Sequence, residues 1–343
     1  MNLEGPFEAE VLRILRQIPG LSVTRQPGGM DRRADAILRF AGTRRRIEVE
    51  FKQRVNAATA WQLRREADER PETPLLLIAG ETTAEARRIL GHRVAVVDGL
   101  GNAHIELPGL LFHLEGKGRP GRGGTEKPPT RLRGKAGLAA QALLLDPERA
   151  WQVRDLANTA QISAGLAHRV LARLEEEGIL AAEGAGPNRV RHLTNATALL
   201  DLWTEENVDR PRRTLGYLLA QTPQQLIKEA GRNLGRGGID YALTGAAAAS
   251  LVAPFVTAIP VAEVWVVAVA APEQLYEAAH ADPVTDGQNV VFLQAKDDTP
   301  LAFREKTDGL WVANRFRLYA DLLRDPRRGR EQAEHLRREV IGF

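Results

Sequence analysis

Cysteine is absent from the 343 residues, which excludes disulfides, cysteine-ligated zinc fingers and thiol nucleophiles. No apolar run approaches the roughly 20 residues of a membrane-spanning helix. The first residues also lack the basic, apolar and small-residue order of a signal peptide, so a cytoplasmic protein with no membrane partner is expected. Lysine is scarce, at seven of the 47 basic residues. The arginine fork suits phosphate and guanine, although codon usage in a G- and C-rich genome produces the same bias. What is present is ordinary for a globular chain: 43% hydrophobic and 27% charged residues. The length calls for two or three domains.

The net charge of +3 is unevenly spread. Residues 1–116 are almost neutral, whereas Lys117 to Ala136 carries seven basic residues and one acidic. That stretch, KGRPGRGGTEKPPTRLRGKA, is rich in Gly and Pro and has no apolar period, so it reads as a flexible basic linker. A second boundary falls at DRPRR, Asp209 to Arg213. Four segments follow: 1–116, the linker 117–136, 137–208 and 209–343.

The first segment alternates helix and strand. Phe7, Val11, Ile14 and Leu15 share one helical face over Pro6 to Gln17. Arg33–Phe40 and Arg46–Lys52 read as strands joined by a turn at Gly42. Ala57–Asp68 and Thr83–Leu90 read as helices, and Pro74–Ala79 and Arg93–Asp98 as strands. This is an α/β sheet domain. Asp35 opens one strand and Glu50-Phe51-Lys52 closes the next, with Glu50 and Lys52 on one face by period two. Two carboxylates suit a hard divalent cation, Mg²⁺ or Mn²⁺, and an ammonium beside them orients water or stabilises phosphoryl charge. The bland reading of the same string is a solvated Glu–Lys pair.

The order helix, strand with Asp, strand with E-x-K, helix resembles the PD-(D/E)xK restriction-endonuclease-like core over residues 4–98. The resemblance implies further catalytic roles for Glu8 or Glu10 on the first helix and Gln62 on the helix after the motif. It also implies the Phe51 carbonyl as a metal ligand beside Asp35 and Glu50. Ala34 stands where the motif has proline.

The segment 137–208 reads as a winged helix-turn-helix. Helices at Leu138–Leu145 and Val153–Ala160 lead through a turn at Gln161-Ile162-Ser163 to a third, Ala164–Glu177. Ser163 caps that helix and Gly178 ends it. A strand at Ile179–Ala182, a Gly-rich tip and a strand at Arg189–Leu193 form the wing. Docked in a major groove, the outward residues would be Ser163, Ala164, Gly165, Ala167, His168, Arg169 and Arg173, with Arg189 and Arg191 reaching from the wing. Duplex DNA is the partner this predicts, with a nucleoid-associated location. The other reading is a helix surface of small residues that binds protein.

In the last segment YALTG, Tyr241 to Gly245, reads as a strand entering a helix, with strands at Ala262–Ala270 and Asn289–Ala295. Helices follow at Arg315–Leu323 and Gly329–Val340. The strand–Gly–helix unit resembles nucleotidyltransferases, but Ala246 follows Gly245 and the next strand carries no aspartate pair. A non-catalytic domain of that α/β type is expected.

The whole chain resembles the AbiEi family, antitoxins and autorepressors of type IV toxin–antitoxin systems, in its long form with a nuclease-like N-terminal domain. The resemblance rests on the strands Ala34 to Lys52, VVDGLGN at Val96 to Asn102, LLDLW at Leu199 to Trp203, YALTGAAAA at Tyr241 to Ala249 and LYADLLRD at Leu318 to Asp325. It implies operator binding, a nucleotidyltransferase toxin as partner and regulation by the C-terminal domain, with a homodimer as a further expectation. Three functions stay open: a DNA-binding regulator, a metal-dependent DNase in defence or repair, and a toxin-neutralising interaction protein.

Overall fold

A computed structural model describes residues 11, 13–15, 17–18, 20–25, 33–40, 43–107, 110–116, 130–256, 259–269 and 271–343. Glu8, Glu10, the turn at Gly42 and linker residues 117–129 lie outside them, and Asp35 is described by its backbone alone. The chain forms an α/β protein with mixed sheets. It groups into two compact units, residues 1–130 with 146–202, and 131–145 with 203–343. This differs from the division expected from the sequence. The segment read as one winged helix is shared between the units.

In the first unit a seven-stranded sheet runs in sequence order. Its strands are β1 (Ser22–Arg25), β2 (Arg33–Phe40), β3 (Thr43–Val55), β4 (Leu75–Thr82), β5 (Val94–Asp98), β6 (Ala103–Leu107) and β7 (Leu110–Leu114). The outer pairs are antiparallel and β3, β4 and β5 are parallel. Parallel neighbours need a crossover. Here α1 (Ala57–Glu69) and α2 (Ala84–Leu90) supply the two crossovers. Alternation sorts the side chains. Ile47, Val49, Leu76, Ile78 and Val97 pack on one face with Val11 and Ile14. Val55, Leu75, Leu77 and Val96 pack on the other with Leu63 and Ile89 of the two helices.

The first unit continues with α4 (Val153–Thr159), α5 (Ala164–Glu176), β8 (Leu180–Glu183) and β9 (Val190–Leu193), which follow α3 (Lys135–Leu145) in the chain. Trp151 adds a single bridge to Arg191 of the two-stranded β8–β9 hairpin, with backbone bonds of 2.8 and 2.9 Å. Helix α3 groups with the second unit, where Gln141 accepts a 2.6 Å hydrogen bond from Asn314. Gly137 of α3 has no room for a side chain, since a Cβ would lie 2.9 Å from the Trp203 indole nitrogen.

The second unit holds another seven-stranded sheet. Helix α6 (Ala196–Glu206) spans the division, and β10 (Arg212–Tyr217), α7 (Pro223–Arg236), β11 (Tyr241–Thr244), α8 (Gly245–Val252), β12 (Ala262–Val267) and α9 (Glu273–Ala279) follow. Then come β13 (Asp282–Pro283), β14 (Val290–Ala295), β15 (Glu305–Thr307), β16 (Leu310–Val312), α10 (Arg315–Leu322) and α11 (Gly329–Leu336). The strand order is β13-β10-β14-β12-β11-β16-β15. Its polar centre is Arg317, buried between Asp209 at 2.6 Å and Asp321 at 3.2 Å, with its guanidinium over the Trp265 ring. Burial opposes the Arg317 charge, but Asp321 and Asp209 outweigh it and raise its pKa. Asp321 also accepts from Thr244 and from the Trp265 indole, each at 2.7 Å.

Candidate functional site

Helix α5 begins where Gln161 adopts a left-handed backbone and turns the chain out of α4. Ser163 then caps the helix, its hydroxyl accepting from the Leu166 amide at 3.2 Å. Leu171 and Leu174 anchor the inner face together with Val170. Ser163, Ala164, Gly165, His168 and Arg169 are exposed at the N-terminal end. Arg154 and Asn158, four residues apart on α4, are exposed beside them in the chain order. The sequence reading passed over this second polar face. Its signal was the spacing of the two residues around the buried Leu156 and Ala157.

Four expected contacts sit differently. Ala167 is buried in the inner face of α5. Arg173 is 6% exposed; it donates to the Thr130 carbonyl at 2.8 Å and lies 3.5 Å from Glu85. Its spacing from Arg169 placed it on the outward face, but that part of α5 is covered within the first unit. Arg191 is 5% exposed in the bridge to Trp151, with Glu175 at 3.6 Å. Arg189, half-buried, is ion-paired with the same Glu175.

The C-terminal end of α5 is joined to the sheet layer by Glu177. This buried carboxylate accepts from the Ala57 amide at 2.9 Å and the Thr83 hydroxyl at 3.0 Å, at the starts of α1 and α2. Gly178 follows at φ +68, and a Cβ there would lie 2.2 Å from the Asn56 amide nitrogen. Burial pushes the Glu177 carboxyl above its ordinary range; the Ala57 and Thr83 hydrogen bonds oppose this, Glu85 adds to it and Arg173 offsets it. A carboxyl raised in the folded state gives stability that is complete below its unfolded pKa and lost as pH rises through the folded value. Glu177→Gln keeps an acceptor oxygen without the charge. Its melting temperature should therefore gain on the wild type between pH 4.5 and 8, in a thermal melt at each pH. A constant difference across that range would refute the account.

On β3, Glu50 is 5% exposed and its carboxylate lies 2.9 Å from the Lys52 ammonium. The two share the sheet face of α1 and α2, while Phe51 packs into the opposite core. The β2–β3 register sets Asp35 opposite Glu48 and Arg33 opposite Glu50, so the expected Asp35 is two register positions from the E-x-K glutamate. Glu48 itself is paired with Arg70 at 3.3 Å. Gln62 lies on the exposed side of α1 and donates to Glu66 at 2.9 Å, so its amide is engaged along its own helix. The donor chemistry, the Glu50 carboxylate with the Lys52 ammonium beside it, fits a hard divalent cation.

Among the described residues, the one group of three metal-ligating side chains lies elsewhere in this unit: His92, His104 and Glu106. Burial and the adjacent His113 hold the His104 imidazole below the usual histidine range, with Glu106 offsetting in part and His92 adding to the depression.

No protein-family model, curated protein or solved structure matches the chain.

The motif strings behind the AbiEi resemblance nevertheless have visible roles. In VVDGLGN, Asp98 is fully buried and accepts from the Leu100 and Asn102 amides at 3.0 and 2.9 Å, closing a turn that needs Gly101 at φ +92. In LLDLW, Asp201 holds Arg65 at 2.7 Å. YALTG and LYADLLRD meet where Thr244 donates to Asp321. Gly245 enters its helix at φ +60 against Glu263, a carboxylate ion-paired with Arg213 at 2.8 Å. A cleft of about 560 Å³ in the second unit is lined by these two residues and by Asp321, Arg324 and Arg328. No described helix is long and apolar enough to cross a membrane.

Proposed function

We propose that this chain is a duplex-DNA-binding regulator that reads its site with the N-terminal half of α5. The observation that carries the reading is the capped, exposed end of that helix, presenting Ser163, Gly165, His168 and Arg169 after a tight turn and next to a wing in the chain. In a helix-turn-helix the recognition helix enters the major groove by this end, while the preceding helix crosses the backbone. Arg169 is then the base-reading side chain and Arg154 a phosphate contact. The AbiEi resemblance supplies the regulatory setting: an operator of its own operon, a homodimer and a nucleotidyltransferase toxin as partner. It leaves the C-terminal domain with a regulatory role and no catalysis.

Fluorescence anisotropy on the upstream intergenic duplex tests this. Arg169→Ala should cost about 1–3 kcal/mol and relax specificity, and Arg154→Ala should weaken all sequences alike and lower the salt slope by about 1. Unchanged affinity of the double variant at low salt would sink the reading.

A second reading, a metal-dependent DNase, is favoured by the Glu50–Lys52 pair and by the order of elements around it. Helical residues before β1, an antiparallel β1–β3 meander and a crossover helix into parallel β4 follow the order expected of a restriction-endonuclease-like core and support this reading. Asp35 and Glu50, with the Phe51 carbonyl by resemblance, would hold Mg²⁺ or Mn²⁺, which supplies Lewis-acid polarisation of the phosphodiester. Lys52 would position water and stabilise charge on the phosphoryl oxygens.

A further inference from the structure

The turn after α2 carries His92, and β6 carries His104 and Glu106 two residues apart, so period two sets both on one side of the sheet. Ala103 and Ile105 take the other side, in the core with Val97. On β7, His113 is the register partner of His104. The three histidines form a line of imidazoles: His104 meets His92 edge-on at 5.7 Å between centroids and His113 at 5.4 Å.

Two features separate this line from a solvated surface cluster. First, the His104 Nε2 atom is buried and makes no hydrogen bond; the nearest Glu106 oxygen is 3.7 Å away. A buried polar atom without a partner costs stability and asks for a ligand. Second, His104 Nδ1 and His113 Nδ1 are 3.2 Å apart, and a hydrogen bond between two ring nitrogens needs one proton. With His104 donating that proton, its Nε2 carries the lone pair. This is how an outer hydrogen bond fixes the tautomer of a metal-binding histidine.

We propose that His92, His104 Nε2 and Glu106 form a binding site for a divalent transition metal, with Zn²⁺ as the fitting ion. The three ligand atoms lie within 4.8 Å of one another. Donors at about 2.0–2.2 Å from zinc must close on one another somewhat. His92 can adjust to this, opening from its close contact with Glu106 and moving toward His104, because its side chain is 82% exposed on a turn. Imidazole donors select zinc, nickel or copper over magnesium, so this site differs in chemistry from the carboxylate face of β3. Three protein ligands leave a coordination position for water. The proposal is independent of the DNA-binding reading.

The test uses the full chain without a polyhistidine tag, stripped with chelator. Zn²⁺ binding is followed by calorimetry, and Co²⁺ binding by its visible absorption. One saturable equivalent of Zn²⁺ is expected, not displaced by excess Mg²⁺. His92→Ala and Glu106→Gln should abolish the stoichiometric isotherm, and both lie at exposed positions where the fold tolerates change. His113→Ala, which removes only the hydrogen-bonded second imidazole, should weaken binding about 10–100-fold. Glu72→Gln, an exposed carboxylate outside every site named here, should leave it unchanged. Three results overturn the proposal: no saturable Zn²⁺ equivalent, an isotherm that survives both His92→Ala and Glu106→Gln, or one lost in Glu72→Gln.

Discussion

Arg317→Ala should lower the stability of the C-terminal unit by about 3 kcal/mol, the lower end of the cost of breaking a buried ion pair, because Asp321 is nearly enclosed whereas Asp209 is partly open to solvent. Arg317 is buried between Asp209 and Asp321, and its guanidinium covers Trp265 at 4.4 Å. Its loss uncovers the ring and leaves Asp321 with two neutral donors, Thr244 and Trp265, and the more distant Arg324 at 4.0 Å. Arg317→Lys should recover only part, because a point charge cannot serve two carboxylates through a planar fork. Urea denaturation of the three proteins measures the effect. Wild-type stability in the alanine variant would mean that the network is dispensable.

The second large effect concerns cleavage. Under the nuclease reading, wild type should cut duplex DNA with Mn²⁺ and stop with chelator. Glu50→Gln should fall to background because the negative charge that would hold the cation is gone. Lys52→Ala should lose about 10²–10³-fold, as when one transition-state donor is removed. Both variants should still bind the duplex, since neither residue lies on α5. Lys52 is partly exposed, so its loss leaves Glu50 within reach of water rather than sealed. Activity that survives in both variants belongs to a contaminant. A wild type that cuts nothing removes this reading and leaves the DNA-binding one standing.

Much of the framework was legible from local chemistry. Strand β2 keeps the bounds read from its alternation, and α5 starts at its Ser163 cap and stops before Gly178. The fate of individual side chains was less legible. Arg169 and Arg173 look equivalent at a four-residue spacing, yet one is exposed and the other buried under contacts to Glu85 and Thr130. Helical periodicity describes a helix alone, not the surface that another layer covers. The same holds for Arg191, taken inward by the bridge to Trp151, a pairing too short to leave an alternating pattern. The hairpin β6–β7 was readable: Ala-His-Ile-Glu-Leu alternates and Pro108-Gly109 follows. The reading ended at Asp98, and the histidine cluster went unseen with it. The register of Asp35 against Glu48 could not be read, because it depends on the turn between the two strands.

The Glu177 junction has a consequence for how such a protein would address DNA. Residue 50 is followed, seven positions on, by the helix start that Glu177 caps, and Glu177 itself closes the helix carrying Arg169. Helix α5 and the strand face of Glu50 therefore belong to the same compact unit. A cutter assembled in this way acts as a ruler. Breaks would fall at a single fixed offset from the bound sequence on every copy of the site, and lengthening the linker would not move them.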